Sequence, residues 1–95
     1  RTVFLLIDIR HAPSANDRIM YAWIKSQNFK PVIIATKLDK IKRSQIQKQL
    51  KEIRISLDAE PDVIMIPFSA QTKQGRDEIY EMLDRLTEEE NGEAD

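Results

Sequence analysis

Three short apolar runs, Val3-Phe4-Leu5-Leu6-Ile7, Val32-Ile33-Ile34-Ala35 and Val63-Ile64-Met65-Ile66, begin 29 and 31 residues apart. They are rich in β-branched residues and do not alternate with polar ones. A strand covered on both faces has this pattern, so the runs predict a parallel sheet. Each gap between them holds helical signals. Ser14 can cap a first helix, with Asp17 three residues on, and Ile19, Met20, Trp23 and Ile24 form its apolar stripe. Ser44 and Gln47 form a second capping box, and Ile46, Leu50, Ile53 and Leu57 follow at spacings of four, three and four. A third helix starts near Gly75, with Asp77 and Glu78 in its first turn, where negative charge suits the dipole. Ile79, Leu83 and Leu86 carry its stripe.

The expected order is β-α-β-α-β-α. It is an α/β, three-layer α-β-α arrangement whose three parallel strands end along one edge. The first two helices belong on one face of the sheet and the third on the other. Residues 1–87 form one domain, and 88–95, Glu88-Glu89-Glu90-Asn91-Gly92-Glu93-Ala94-Asp95, have the composition of a disordered acidic tail. The strand at 3–7 looks central, which fits a chain that begins mid-domain. It leaves an open apolar edge through which a dimer could pair.

Composition narrows the chemistry. Net charge is -1, so no global charge selects nucleic acid or acidic lipid. The absence of cysteine removes disulfides, thiol catalysis and thiolate metal sites, and the single His11 removes a multi-histidine site. The apolar runs are too short to span a membrane and no signal peptide is visible, so the cytoplasm is expected. The two glycines, Gly75 and Gly92, stand in neither a G-x-x-x-x-G-K-[ST] nor a G-x-G-x-x-G pattern. The chain therefore carries no glycine-rich phosphate cradle.

Ligands of open parallel sheets bind beyond the C-terminal strand ends. The second run is followed there by Thr36-Lys37-Leu38-Asp39, which puts Lys37 and Asp39 on one rim. A carboxylate there can accept two parallel N–H bonds, which guanine offers through N1–H and its exocyclic amine and adenine does not. Lys37 can lay its aliphatic stem along a base. From the loop after the third run, Ser69 can orient Asp39, and the Ala70 N–H can donate to a base carbonyl. The plainer alternatives are a solvated turn residue for Asp39, a strand-former for Thr36 and a turn-former for Ser69. Asp8 as a phosphoacceptor would need a further acidic pair at an earlier strand, which is absent. His11 lacks a carboxylate or hydroxyl neighbour in sequence, so a loop hydrogen bond is expected of it and no catalytic residue is assigned. Trp23 falls on the stripe of the first helix and is expected in the core.

Thr36-Lys37-Leu38-Asp39, followed about thirty residues later by Ser69-Ala70, resembles the fourth and fifth motifs of the Ras-like GTPases. Thr in place of the usual Asn, together with Leu6-Ile7-Asp8-x-Arg10-His11-x-Pro13, resembles the EngB (YihA, YsxC) branch, bacterial GTPases that assist large ribosomal subunit assembly. The resemblance runs from about Val3 to Leu86 and covers only the C-terminal half of such a domain. It implies half of a P-loop GTPase domain without its P-loop, binding GTP or GDP, with Thr36, Lys37, Asp39, Ser69 and Ala70 at the guanine. It implies that magnesium and the phosphates are handled by the N-terminal half, that this chain alone does not hydrolyse GTP, and that a ribosomal or rRNA partner is met through the parent protein.

A different class of function rests on charge. Lys37 to Arg54 holds seven Lys and Arg against Asp39 and Glu52, whereas Asp77 to Asp95 holds nine acids against Arg85. The basic helix at 43–57 could dock RNA or a protein in a module that binds no nucleotide, or it could attract the acidic segment.

Overall fold

The structure, a computed structural model, describes residues 2–94, with side chains described through Leu86. Strand β1 (Thr2–Asp8) leads to helix α1 (Ala15–Ser26), strand β2 (Lys30–Thr36), helix α2 (Ile46–Leu57), strand β3 (Ile64–Pro67) and helix α3 (Arg76–Ala94). The strands pair in parallel in the order β1-β2-β3, with Leu5 opposite Ile33 and Ile33 opposite Met65. The β-branched runs therefore form the expected α/β sheet.

Alternation along the strands sorts side chains into two cores. On one face Leu5, Ile7, Ile33 and Ala35 pack with Tyr21 and Ile24 of α1 and with Ile53 and Leu57 of α2. On the other, Val32, Ile34 and Ile66 are covered by Ile79 and Met82 of α3. β1 is an edge strand among the described residues, and its Leu6 is 62% exposed.

Helix starts differ in how they are capped. At α1 the capping box forms in full: Ser14 Oγ accepts from the Asp17 N–H at 3.2 Å, and Asp17 Oδ2 accepts from the Ser14 N–H at 2.9 Å. The box expected at Ser44 and Gln47 does not form. Arg43–Gln45 make a 3-10 turn and α2 begins at Ile46, after Gln45 in helical geometry with no side-chain cap. The α1 stripe also needs correction. Tyr21 and Ile24 face the sheet, while Ile19, Met20 and Trp23 are 66%, 48% and 49% exposed. At about 3.6 residues per turn, a face centred on Tyr21 and Ile24 turns Ile19 and Trp23 away from the sheet. Trp23 is thus not a core residue; it meets Phe29 edge-on at 5.9 Å. In backbone, α3 continues to Ala94, through most of the 88–95 segment expected as a disordered tail; Asp95 lies outside the described residues. Glutamate favours helix, and no proline interrupts the stretch.

Candidate functional site: the loops after β2 and β3

Two loops meet at the C-terminal edge of the sheet. Beyond Thr36 the chain turns sharply: Lys37 adopts a left-handed conformation (φ 61°), and Leu38–Lys40 form one 3-10 turn. Leu38 is 4% exposed and sits in the α1/α2 core, which anchors the turn from below. Its N–H donates to the Phe68 carbonyl at 3.0 Å, and the Phe68 N–H donates to the Ala35 carbonyl at 2.8 Å. These two bonds continue the β2/β3 ladder past the strand ends and hold the loops side by side. Thr36 Oγ1 donates to the Ile7 carbonyl at 3.3 Å, tying the end of β2 to β1.

With Leu38 turned inward, Asp39 is directed toward the second loop. Ser69 Oγ donates to Asp39 Oδ1 at 2.7 Å and accepts from the Thr72 N–H at 3.1 Å. Ser69 is fully buried. Its N–H donates to the Gln74 carbonyl at 3.0 Å, so the 69–75 turn is closed on itself. Gly75 makes that closure sterically possible. Its φ is +84°, and a Cβ built there would lie 2.1 Å from the Pro67 carbonyl oxygen.

Between the loops lies a cavity of about 330 Å³ lined by Thr36, Lys37, Asp39, Phe68, Ala70 and Gln71, with Arg10 and Lys40 also on its wall. The five residues expected at a guanine are thus brought together: four line the cavity, and Ser69 lies behind Asp39. The Ser69 hydrogen bond, with the backbone and Lys40 assisting against desolvation, holds the Asp39 carboxyl below the usual carboxylate range. Asp39 is therefore ionised at neutral pH. Ser69 takes one lone-pair position of Oδ1, which leaves acceptor capacity on both oxygens.

Sequence reasoning missed the neighbouring cluster. Asp8 accepts from three donors of Arg10: the backbone N–H (2.9 Å), Nε (3.1 Å to Oδ1 and 3.3 Å to Oδ2) and Nη2 (2.9 Å). Lys37 Nζ lies 3.7 Å from Asp8 Oδ2, so its ammonium leans toward the end of β1 and not toward Asp39. The Arg10 hydrogen bond, reinforced by its charge and that of Lys37, lowers the Asp8 pKa to about 2. The two-residue spacing of Asp8 and Arg10 at a strand end carried a signal for this clamp. His11 is exposed; its backbone N–H donates to the Asp8 carbonyl at 3.3 Å. A second cavity, about 360 Å³, opens at the other end of the strands beside Lys25, Phe29, Glu60 and Asp62. It lies away from the edge where open sheets bind ligands, and Lys25 and Glu60 already pair there at 3.1 Å.

A parallel sheet with helices on both faces, and two facing loops at its C-terminal edge, is the architecture of P-loop GTPase domains. The chain superimposes on the crystal structure of GDP-bound aIF5B from Aeropyrum pernix with a TM-score of 0.67 at 16% identity, over 92% of this chain and 20% of that one. No family model matches the chain. In sequence it is 58% identical over 93 residues to a probable GTP-binding protein EngB of Lachnospira eligens, covering 96% of this chain and 44% of that protein. Identity to the EngB protein of Lachnoclostridium phytofermentans is 51% over 88 residues (93% and 44%), and to that of Clostridioides difficile 48% over 80 (84% and 39%). The chain corresponds to part of an EngB protein and spans less than half the length of these curated relatives.

Proposed function

We propose that this chain is the guanine-recognising part of a GTP-binding protein. The pairing of the buried Ser69 hydroxyl with Asp39 beside a cavity of about 330 Å³ carries the proposal. Guanine entering that cavity presents N1–H and its 2-amino group to the Asp39 carboxylate. Ser69 fixes the carboxylate from behind, so little orientation has to be lost on binding. The exposed, small Ala70 lets its backbone N–H approach the base carbonyl, and Thr36 holds the loop to β1. Lys37 lines the same cavity and lies along the base, with its ammonium near Asp8. Adenine has an acceptor at N1 and would leave Asp39 without its donors, so selectivity follows from the unpaired group.

The GTP-binding names of the relatives and the GDP-bound neighbour are consistent with this chemistry. In the whole protein, the phosphates and Mg²⁺ would be met by sequence outside these 95 residues, and the setting would be cytoplasmic assembly of the large ribosomal subunit. The isolated chain would not hydrolyse GTP, and the uncovered β1 edge would favour its self-association, which light scattering reads directly.

An amide NMR titration with GDP, with ADP as control, tests base recognition. A few hydrogen bonds at ~1 kcal/mol each give binding in about the millimolar range. Shifts confined to Thr36–Lys40 and Ser69–Gln71 with GDP alone are expected. Equal shifts with ADP, or none at saturating GDP on a well-dispersed spectrum, would overturn the assignment.

A further inference from the structure

Charge on this molecule is sorted between the two faces of the sheet. Of the cations from Lys37 to Arg54, three are already engaged. Lys37 faces Asp8, Lys40 faces Asp39, and Arg54 donates to the carbonyls of Glu60 and Val63. Lys42, Arg43, Lys48 and Lys51 are exposed and, among the described residues, have no ion-pair partner. Lys48 and Lys51 lie one turn apart on the outer side of α2, and Lys42 and Arg43 immediately precede it.

One exposed acid, Glu52, stands among them on α2, one turn from Lys48; the other acids that could neutralise them are elsewhere. The exposed Asp77, Glu78, Glu81 and Asp84 belong to α3, which packs on the Val32 and Ile34 face, whereas α2 packs on the Ile33 and Ala35 face. The sheet therefore lies between α2 and α3. Among the described residues, no ion pair joins α2 to the acids of α3. Asp58, Glu60 and Asp62 follow the C-terminal end of α2, and Glu60 is held by Lys25. A net charge of -1 hides this separation.

The surroundings of the four cations discriminate between partners. Ser44, Gln45 and Gln47 are exposed among them, and such hydroxyl and amide groups hydrogen-bond phosphate and sugar oxygens. The α2 residues Ile46, Leu50, Ile53 and Leu57 pack into the core, leaving Ile55 as the one strongly exposed apolar residue of the helix. A protein interface wants an apolar or aromatic centre depleted in charge, and a bilayer wants an apolar face to take in. Neither is present.

We propose that Lys42, Arg43, Lys48 and Lys51 form a strip that docks the phosphodiester backbone of a nucleic acid, with acidic α3 facing away from it. The proposal is independent of guanine recognition. Its test is run without nucleotide, so failure of the base pocket would leave the result unchanged.

The test is fluorescence anisotropy of a labelled 16-nucleotide RNA, and of DNA of the same sequence, titrated with the 95-residue chain over a salt series. Four phosphates neutralised on a single strand give a log–log salt slope of about -2.8, which is about fifty-fold weaker binding at 200 than at 50 mM salt. Replacing Lys42, Lys48 and Lys51 together by Gln should bring the slope to about -0.7 and weaken binding at least about ten-fold at 50 mM. The control replaces Arg18, Lys30 and Arg85 by Gln, with the same change in net charge and no position on the strip; it should bind within about two-fold of the parent. Circular dichroism of both variants confirms the fold. If the triple variant unfolds, the single changes Lys48→Gln and Lys51→Gln should each reduce the slope by about 0.7. Equal binding of RNA and DNA supports backbone docking, and binding of RNA alone supports it with RNA as the source. No binding at 50 mM, equal loss in the control, or binding only to vesicles of anionic lipid overturns the proposal.

Discussion

Replacing Gly75 by alanine tests how the second loop is held. The new Cβ would lie 2.1 Å from the Pro67 carbonyl oxygen, 0.9 Å inside the 3.0 Å that real Cβ atoms keep. Retreat is blocked on the other side. Pro67 is the last residue of β3, opposite Ala35, and the Phe68 N–H is bonded to the Ala35 carbonyl. An L-residue at φ +84° adds its own penalty. Left-handed backbone costs ~1–2 kcal/mol and overpacking ~1–3 kcal/mol, together about 2–5 kcal/mol. For a domain of this size that corresponds to a fall in Tm of at least about 8 °C. Urea unfolding followed by circular dichroism measures the stability, and amide spectra locate the change. The amides of Ser69 and Thr72 should move most, because both belong to the turn that Gly75 closes. A Gly75→Ala chain within about 0.5 kcal/mol of the parent, with the Ser69 amide unmoved, would refute the close approach and the account of how Ser69 is positioned.

Ser69→Ala removes a buried hydroxyl and leaves the Thr72 N–H unsatisfied, a loss of ~1–3 kcal/mol; carboxyl titration by NMR should also show the Asp39 pKa rising toward its ordinary value, and an unchanged Asp39 would exclude Ser69 as its main stabiliser. Asp8 titrates at about 2, below its ordinary 3.8. Its contribution to stability is therefore complete above about pH 4 and is lost as pH falls toward 2; Arg10→Ala should raise the Asp8 pKa and shrink that acid-dependent loss, and an Asp8 titration unmoved by the change would contradict the clamp. Trp23 is the single tryptophan, and at 49% exposure its fluorescence should be quenched by iodide in the folded chain. Protection from iodide would place it in the core after all.

The strands were legible because a β-branched run without alternation has few other uses. The two-and-one division of helices followed from strand order alone. The helix starts and faces were read less well, for a physical reason. Ser44 and Gln47 have the spacing of a capping box, but the chain spends Arg43–Gln45 on a 3-10 turn before α2 begins. In α1 the aromatic that turns inward is Tyr21, and a stripe drawn through Trp23 picks the wrong one of two aromatics close in sequence. At the site, residue types and loop positions pointed to Asp39, Ser69 and Ala70. What stayed hidden were contacts set by tertiary approach: Lys37 leaning to Asp8, Phe68 on the cavity wall, and Gly75 folded against Pro67. None of these follows from periodicity, because each depends on where two loops come to rest against each other.

Leu38 is rooted in the core beneath α1 and α2, and Phe68 in the core beneath α3, yet the Leu38 N–H and the Phe68 carbonyl are bonded to each other. The floor of the cavity is therefore a joint between two separately packed layers. A void opened under either layer, at Ile53 or at Ile79, would reach the cavity by the same bond, and damage on one side of the sheet would be felt as misalignment by the loop rooted in the other.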